Sequence, residues 1–301
     1  MPLSFGIKTS QMGLTYQDIL RVWRDADQVP LFAHAWLWDH MVPLRGDVRG
    51  AALEAWTLLG ALAAQTQRLR LGVMVTSNRL RNPALLAKMA ATVDVISGGR
   101  LDFGIGAGAS QLPGAPEALT EIVRREFEAY GVPIVPPGEA IGALAEACTL
   151  IRRMWTEDDR FDFSGRHYQL RGAVCEPKPV QRPHPPFVIG AGGERSALRV
   201  VAEQADIWNC PSRTAAEFRH KSRVLDEHCA AIGRDPAEIT RSMQVLVPPG
   251  DPAASRALLL ELIGAGVTHL VLAPVPPWPD RPAQWLADEI AAPVAAQLTS
   301  G

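Results

Sequence analysis

The chain has 301 residues, 47% of them hydrophobic, with a formal net charge of -2. That length and apolar content allow a large buried core, and a near-neutral balance without a basic stripe argues against a nucleic-acid partner. The opening MPLSFGIKTSQ lacks the apolar centre of a signal peptide, and no apolar run reaches membrane-spanning length, so a cytoplasmic protein without a membrane partner is expected.

In chain order, LSFGIK at 3–8 reads as a strand, and 15–29 as a helix with Thr15 as its N-cap. AWLW at 35–38 is a short apolar run that ends on Asp39-His40. The amphipathic segment 53–67 precedes LRLGVMV at 69–75. A helix over 83–96 opens with the cap Asn82 and Pro83 and closes at Ser97-Gly98-Gly99, where glycine suits a left-handed terminus. LDFGIG at 101–106 is followed by a long irregular stretch, a helix at 139–155, and a hairpin around Ser164-Gly165. Then come PFVIG (186–190), helix 193–204, DIWN (206–209), helix 214–232, MQVLV (243–247), helix 254–264, HLVLAP (269–274) and a last helix near 282–297. These strands, nearly all followed by helices, predict an α/β protein: one (β/α)8 TIM barrel over 1–301, with an excursion at about 107–185 between strands four and five.

Barrel chemistry sits at the strand C-termini, so the candidates gather there. Gly104, Gly106 and Ala109 spell G-x-G-x-x-A, but Pro113, Gly114 and Pro116 follow where a dinucleotide fingerprint needs a helix. The glycines read instead as a rim that lets a flat ligand approach backbone, or as a plain tight turn. His40 can exchange a proton near neutral pH, or be a structural rim histidine; Asp39 can orient it, bind a cofactor hydroxyl, or cap the next segment. Gly190-Ala191-Gly192-Gly193, running from a strand into a helix with Arg195 in its first turn, suits a phosphate or is simply a glycine-rich turn. Trp36, Trp38 and Trp208 can stack on a planar ring or serve as core lids. The four cysteines and the remaining histidines show no metal-ligand spacing, so no metal is expected.

Four segments resemble one family: WLWDHM at 36–41, LRLGVMVTSNRLRNPALLAKMAATVDVISGGRLDFGIGAG at 69–108, EFEAYGVPI at 126–134, and PKPVQRPHPPFVIGAGGERSALRVVAEQADIWN at 177–209. They are similar to the bacterial luciferase-like superfamily, in particular its deazaflavin (coenzyme F420)-dependent oxidoreductases. The resemblance implies a cofactor at the barrel mouth, above a non-proline cis peptide at Met74-Val75, with Val75-Thr76 as second placement. Cofactor contacts are then expected from Asp39, Met74, Val75, Thr76, Asn78, Gly106, Ala107, Gly108, Gly190, Ala191, Gly192, Gly193 and Arg195, with the phosphate at Gly192-Gly193. Asp39 and His40 match the pair that meets deazaflavin and substrate in relatives, which makes them the expected catalytic residues.

Trp38, Ala109 and Trp208 are the expected substrate contacts. Relatives that oxidise sugar phosphates carry Glu where this chain has Ala109, which argues against that reaction and leaves room for a bulkier substrate. The implied function is hydride transfer between reduced F420 and an unsaturated small molecule (C=C, C=N or C=O). The alternative is an FMN-dependent luciferase-like monooxygenase, and a non-catalytic barrel is a third reading. Relatives are usually homodimers through their early helices; AALEAWTLLGALAAQ at 51–65 can serve as that apolar face, and a core-facing helix explains it equally well.

Overall fold

A computed structural model describes residues 3–108 and 117–299. Its first half alternates β1 (Ser4–Lys8), α1 (Tyr16–Gln28), β2 (Phe32–Leu37), α2 (Ala55–Ala63), β3 (Arg70–Val73), β4 (Thr76–Ser77), α3 (Pro83–Ser97) and β5 (Phe103–Gly106). The excursion holds α4 (Glu117–Ala129), α5 (Pro137–Thr156) and an antiparallel hairpin of β6 (Phe161–Ser164) and β7 (Gln169–Ala173). The second half continues with β8 (Phe187–Gly190), α6 (Ala197–Gln204), β9 (Ile207–Cys210), α7 (Ala215–Ala231), β10 (Thr240–Val247), α8 (Pro252–Gly264), β11 (His269–Pro274), α9 (Pro282–Leu286) and α10 (Ala292–Thr299).

The main sheet runs β3-β2-β1-β11-β10-β9-β8-β5-β4, and its strand pairs are parallel. β3 and β4 are two halves of one stave, on either side of a cis peptide bond between Met74 and Val75, and a bridge from Leu71 to Leu101 closes the circle. With that stave counted once, the expected (β/α)8 barrel is the fold. No described helix is long and apolar enough to cross a membrane.

Local chemistry explains most of the boundaries. Thr15 and Asp18 form a reciprocal capping box at α1, and Asn82 caps α3, whose end turns left-handed at Gly98 (φ 67°). The helix α4 departs from the irregular stretch expected there. Only Val123, Glu126 and Phe127 of its residues are buried, so a carboxylate stands in the inward stripe and masks the helical period. For the large apolar side chains of 51–65, the core-facing alternative is the one seen. Trp56, Leu58, Leu59 and Leu62 are buried in the chain's own core.

The barrel interior is stratified. Near the strand N-termini, His34 Nδ1 lies 2.7 Å from Asp102 Oδ2, and Arg70 Nε donates to Asp102 Oδ1 at 2.8 Å. The His269 ring packs 4.6 Å from that of His34, with both of its nitrogens buried and without partners. Above this layer Trp36, Met74, Val188 and Val271 make an apolar plug. Gly72 makes room for it, since a Cβ there would stand 2.6 Å from Trp36 Cζ3 and 2.3 Å from the Asp102 carbonyl oxygen. Burial first, and neighbouring His34 second, push His269 down from 6.5 to about 3.

This layer sets an acid limit to stability. The unfolded chain protonates His269 near pH 6.5 while the folded chain resists until about 3. Stability present above that window therefore drains as pH falls through it, at up to about 1.4 kcal/mol per pH unit. Burial alone would raise Asp102, but His34 and Arg70 outweigh it and hold it below 3.8, which extends the loss on the acid side. Urea midpoints of wild type should fall steadily across this range. His269→Leu should flatten the less acidic part of the curve, and an unchanged slope would remove His269 as its cause.

Candidate functional site

The break in the third stave shapes the mouth. After the cis bond the chain rejoins the sheet at Thr76, which pairs with Ile105, and Val75 is turned toward the neighbouring strand ends. A Cβ on Gly106, or on Gly190, would lie 2.8 Å from Val75 Cγ2. Those two glycines are register partners on β5 and β8, so both glycine-rich ends face one opening. The bare rim expected from the sequence is thus partly filled: the glycines first admit Val75, whose remaining surface is half exposed. Ala107 and Gly108, also half exposed, continue that rim.

Around the bulge, several expected cofactor contacts are committed elsewhere. Met74 points down into the apolar plug. Thr76 Oγ1 accepts the indole N–H of Trp56 at 3.1 Å beneath α2, so its hydroxyl does not face the mouth. Asn78 is buried; its backbone N–H donates to Gly106 O at 3.0 Å and its Nδ2 to the Tyr168 hydroxyl at 3.1 Å, while its Oδ1 has no partner. Ala109 lies outside the described residues.

Asp39 and His40 do not act on each other. The Asp39 carboxylate accepts two bonds from the Arg81 guanidinium, at 2.7 and 2.9 Å, and one from Ser77 N–H at 2.9 Å. Both members of that ion pair are buried, and Arg81 also reaches Glu54. Burial alone would lower the Arg81 pKa, but the two carboxylates outweigh it and raise it. Asp39 therefore braces the segment leaving the bulge. His40 is oriented by Glu126, a residue that sequence reasoning passed over. Its Nδ1 lies 2.9 Å from Glu126 Oε2, while Glu126 Oε1 accepts the amides of Met41 and, at 3.3 Å, Val42. A carboxylate so placed fixes the proton on Nδ1 and leaves Nε2 for exchange. The only sequence signal was the place of Glu126 at the head of the EFEAYGVPI match.

At the second rim, β8 ends at Gly190, and Gly193 to Ser196 form an exposed turn before α6 begins at Ala197, later than expected. Ser196 makes no side-chain cap; the Leu198 N–H is taken by Gly193 O at 3.0 Å, and the amides of the turn before α6 are the ones left for an anion. Arg195 is exposed on the turn, and Lys221 Nζ, from α7, donates to Gly192 O at 3.0 Å. Trp208, expected at the substrate, is instead wholly buried. It stacks on Phe218 of α7 at 5.6 Å, and its Nε1 donates to Ala191 O at 2.8 Å. Strand alternation sends Trp208 outward and Asn209 inward.

Trp38 does border the mouth, edge-on to the His40 ring at 5.6 Å. Opposite it lies a polar group absent from the sequence reading. Lys8, which ends β1, donates to Gln244 Oε1 and stands 5.0 Å from the Trp38 ring centroid. A lysine closing an otherwise apolar strand was the available signal. The mouth therefore unites an oriented histidine, a half-exposed aliphatic bulge, an open helix N-terminus and a lysine, an assembly suited to holding an anionic, planar cofactor beside a substrate that takes or gives a proton.

Glu126→Ala tests the central pair. Nitrogen NMR should show His40 protonated on Nδ1 in wild type and shifted toward the Nε2 tautomer in the variant, with helix content retained. An unchanged tautomer would mean that Glu126 does not orient the ring.

Residues 3–291 match the model of a family described as luciferase-like monooxygenase. The chain is 32% identical over 213 residues to the F420-dependent glucose-6-phosphate dehydrogenase of Kineococcus radiotolerans, an alignment covering 70% of this chain and 58% of that enzyme. The chain thus spans little more than half the length of that curated relative. An F420-dependent secondary alcohol dehydrogenase, solved in complex with an F420-acetone adduct, superposes with a TM-score of 0.82 at 18% identity, over 97% of this chain and 99% of that one. The monooxygenase RslO1 from Streptomyces bottropensis superposes with a TM-score of 0.75 at 20% identity, over 96% and 99%. At such identities the superpositions speak for the shared barrel. Since the family model matches nearly its whole length, the chain belongs to the luciferase-like monooxygenase family.

Proposed function

We propose that this protein is an F420-dependent oxidoreductase acting on an unsaturated small molecule. The observation that carries the reading is the convergence, on one barrel mouth, of the Val75 bulge, the open amides before α6 and the His40–Glu126 pair. The residues fit a flat cofactor with an anionic tail: Gly106 and Gly190 make room for the bulge, and no side chain caps the turn at Gly193 to Ser196. Val75, Ala107 and Gly108 would support the ring; Gly192, Gly193 and Arg195, with Lys221, would hold the phosphate. When bound, reduced F420 supplies a hydride equivalent, and it lacks the ring nitrogen that supports oxygen activation.

The chain's own part is positioning and proton traffic. His40 Nε2 gives or takes the substrate proton, and Glu126 keeps the ring in the tautomer that leaves this nitrogen free. Asp39, through Arg81, holds the bulge segment in register with β5. Trp38 gives the substrate an aromatic wall beside His40.

Purified protein titrated with F420 and with FMN should bind F420 selectively, followed by fluorescence. His40→Ala should lower kcat by about 10²- to 10⁴-fold with F420 affinity changed less than about twofold. Lys221→Ala should instead weaken F420 binding about tenfold with little change in kcat. Preferential FMN binding with oxygen consumption on turnover would overturn the proposal in favour of a monooxygenase.

A further inference from the structure

Lys8 has a setting that the proposed proton chemistry does not use. It shares strand parity with Gly6, whose missing Cβ would meet Trp36, His269 and His34 inside the barrel, so the Lys8 side chain also points inward, at the C-terminal end. A chain of amides fixes its partner. Gln244 Nε2 donates to Asn209 Oδ1 at 2.7 Å, and Asn209 Nδ2 donates to Ser242 Oγ at 3.1 Å, which leaves the Gln244 oxygen to accept from Lys8. Lys8 makes no ion pair with any described carboxylate; Asp39 and Glu126 are engaged by Arg81 and His40. Burial, with no acid to oppose it, pushes the Lys8 ammonium down to about 8. On the same wall, Trp38 Nε1 is a buried donor without an acceptor.

An ammonium held among neutral groups gains most from a negative charge that appears beside it. One wall thus offers an ammonium without a counter-charge and an indole N–H without an acceptor, and Lys8 and His40 both pack against the Trp38 ring. We infer that Lys8 is a substrate-binding and charge-stabilising residue that holds the carbonyl oxygen of an α,β-unsaturated carbonyl compound, beside the Trp38 ring against which His40 also packs. This rests on the hydride-transfer reading above. Hydride from reduced deazaflavin forms a new C–H bond at the β-carbon, and the C=C pair moves toward the carbonyl oxygen, giving an enolate. Lys8 meets the charge on that oxygen. His40 then delivers a proton to the α-carbon and the C=O bond re-forms, so one hydride and one proton together saturate the C=C bond.

Benzoate, a flat conjugated anion that mimics the enolate, is the probe, with binding measured by calorimetry on protein with and without F420. Lys8→Met keeps the apolar stem and should weaken benzoate binding about tenfold or more, whereas Lys8→Arg should recover most of it. Wild-type affinity should also fall between pH about 7 and about 9.5, as the ammonium is lost, while Lys8→Met stays flat. Both variants should keep the wild-type F420 affinity, and turnover of 2-cyclohexen-1-one should drop in Lys8→Met with kcat falling more than KM rises. If F420 binds but benzoate is not bound by wild type, or is bound equally by Lys8→Met, the role of Lys8 is overturned while the cofactor reading stands. If F420 does not bind wild type, the hydride reading itself fails and the enone assignment with it.

Discussion

The steric contact between Val75 and the two glycines opposite it governs the rest of the mouth. A side chain on either Gly106 or Gly190 would occupy the space of a Val75 methyl, so the three positions are mutually dependent. With Val75 seated, the chain re-enters the sheet at Thr76 and carries Ser77 to within reach of Asp39. The Asp39–Arg81 ion pair then ties β2 to the segment after the bulge, out of water and with its hydrogen bonds satisfied. His40 is carried on the same short stretch as Asp39, so its position inherits the geometry set at the bulge.

Beneath that arrangement, the barrel separates two polar regions with an apolar one. The lower region keeps Asp102 charged between His34 and Arg70 and keeps His269 neutral. The upper region holds Lys8 among amides, with no carboxylate among the described residues to balance it. Trp36, Met74, Val188 and Val271 lie between them. Fully satisfied polar groups rigidify a core, whereas an unbalanced one is poised to receive a partner from outside. The lower layer fits the first description for Asp102 and the upper layer fits the second for Lys8.

Much of the scaffold was legible because it depends on local rules. Thr15, Asn82 and Gly98 announce helix ends by side-chain chemistry or backbone freedom, and each does so in the structure. The stave count follows from apolar runs punctuated by glycine and proline. The site was less legible because its decisive contacts are long-range. Nothing local pairs His40 with Glu126, 86 positions away, and the helix carrying Glu126 was hidden by the very carboxylate that matters. Asp39 was recognised as a site residue, but its partner Arg81 lies 42 residues on and redirects its role from orienting His40 to bracing the bulge. Trp208 could have been assigned from strand alternation alone: Asn209 faces the interior amide chain, so the indole had to face α7.

The turn after β8 has one more property. In a trans peptide the N–H points opposite to the preceding C=O. Trp208 draws the Ala191 carbonyl toward the helical shell, and Lys221 draws that of Gly192, so the donors of Gly192 and Gly193 are aimed from the rear by groups outside the barrel. The direction of the Gly192 amide is consequently set by Trp208, a buried residue on the far side of the turn. A substitution at Trp208 can turn that amide while the residues of the turn itself stay the same.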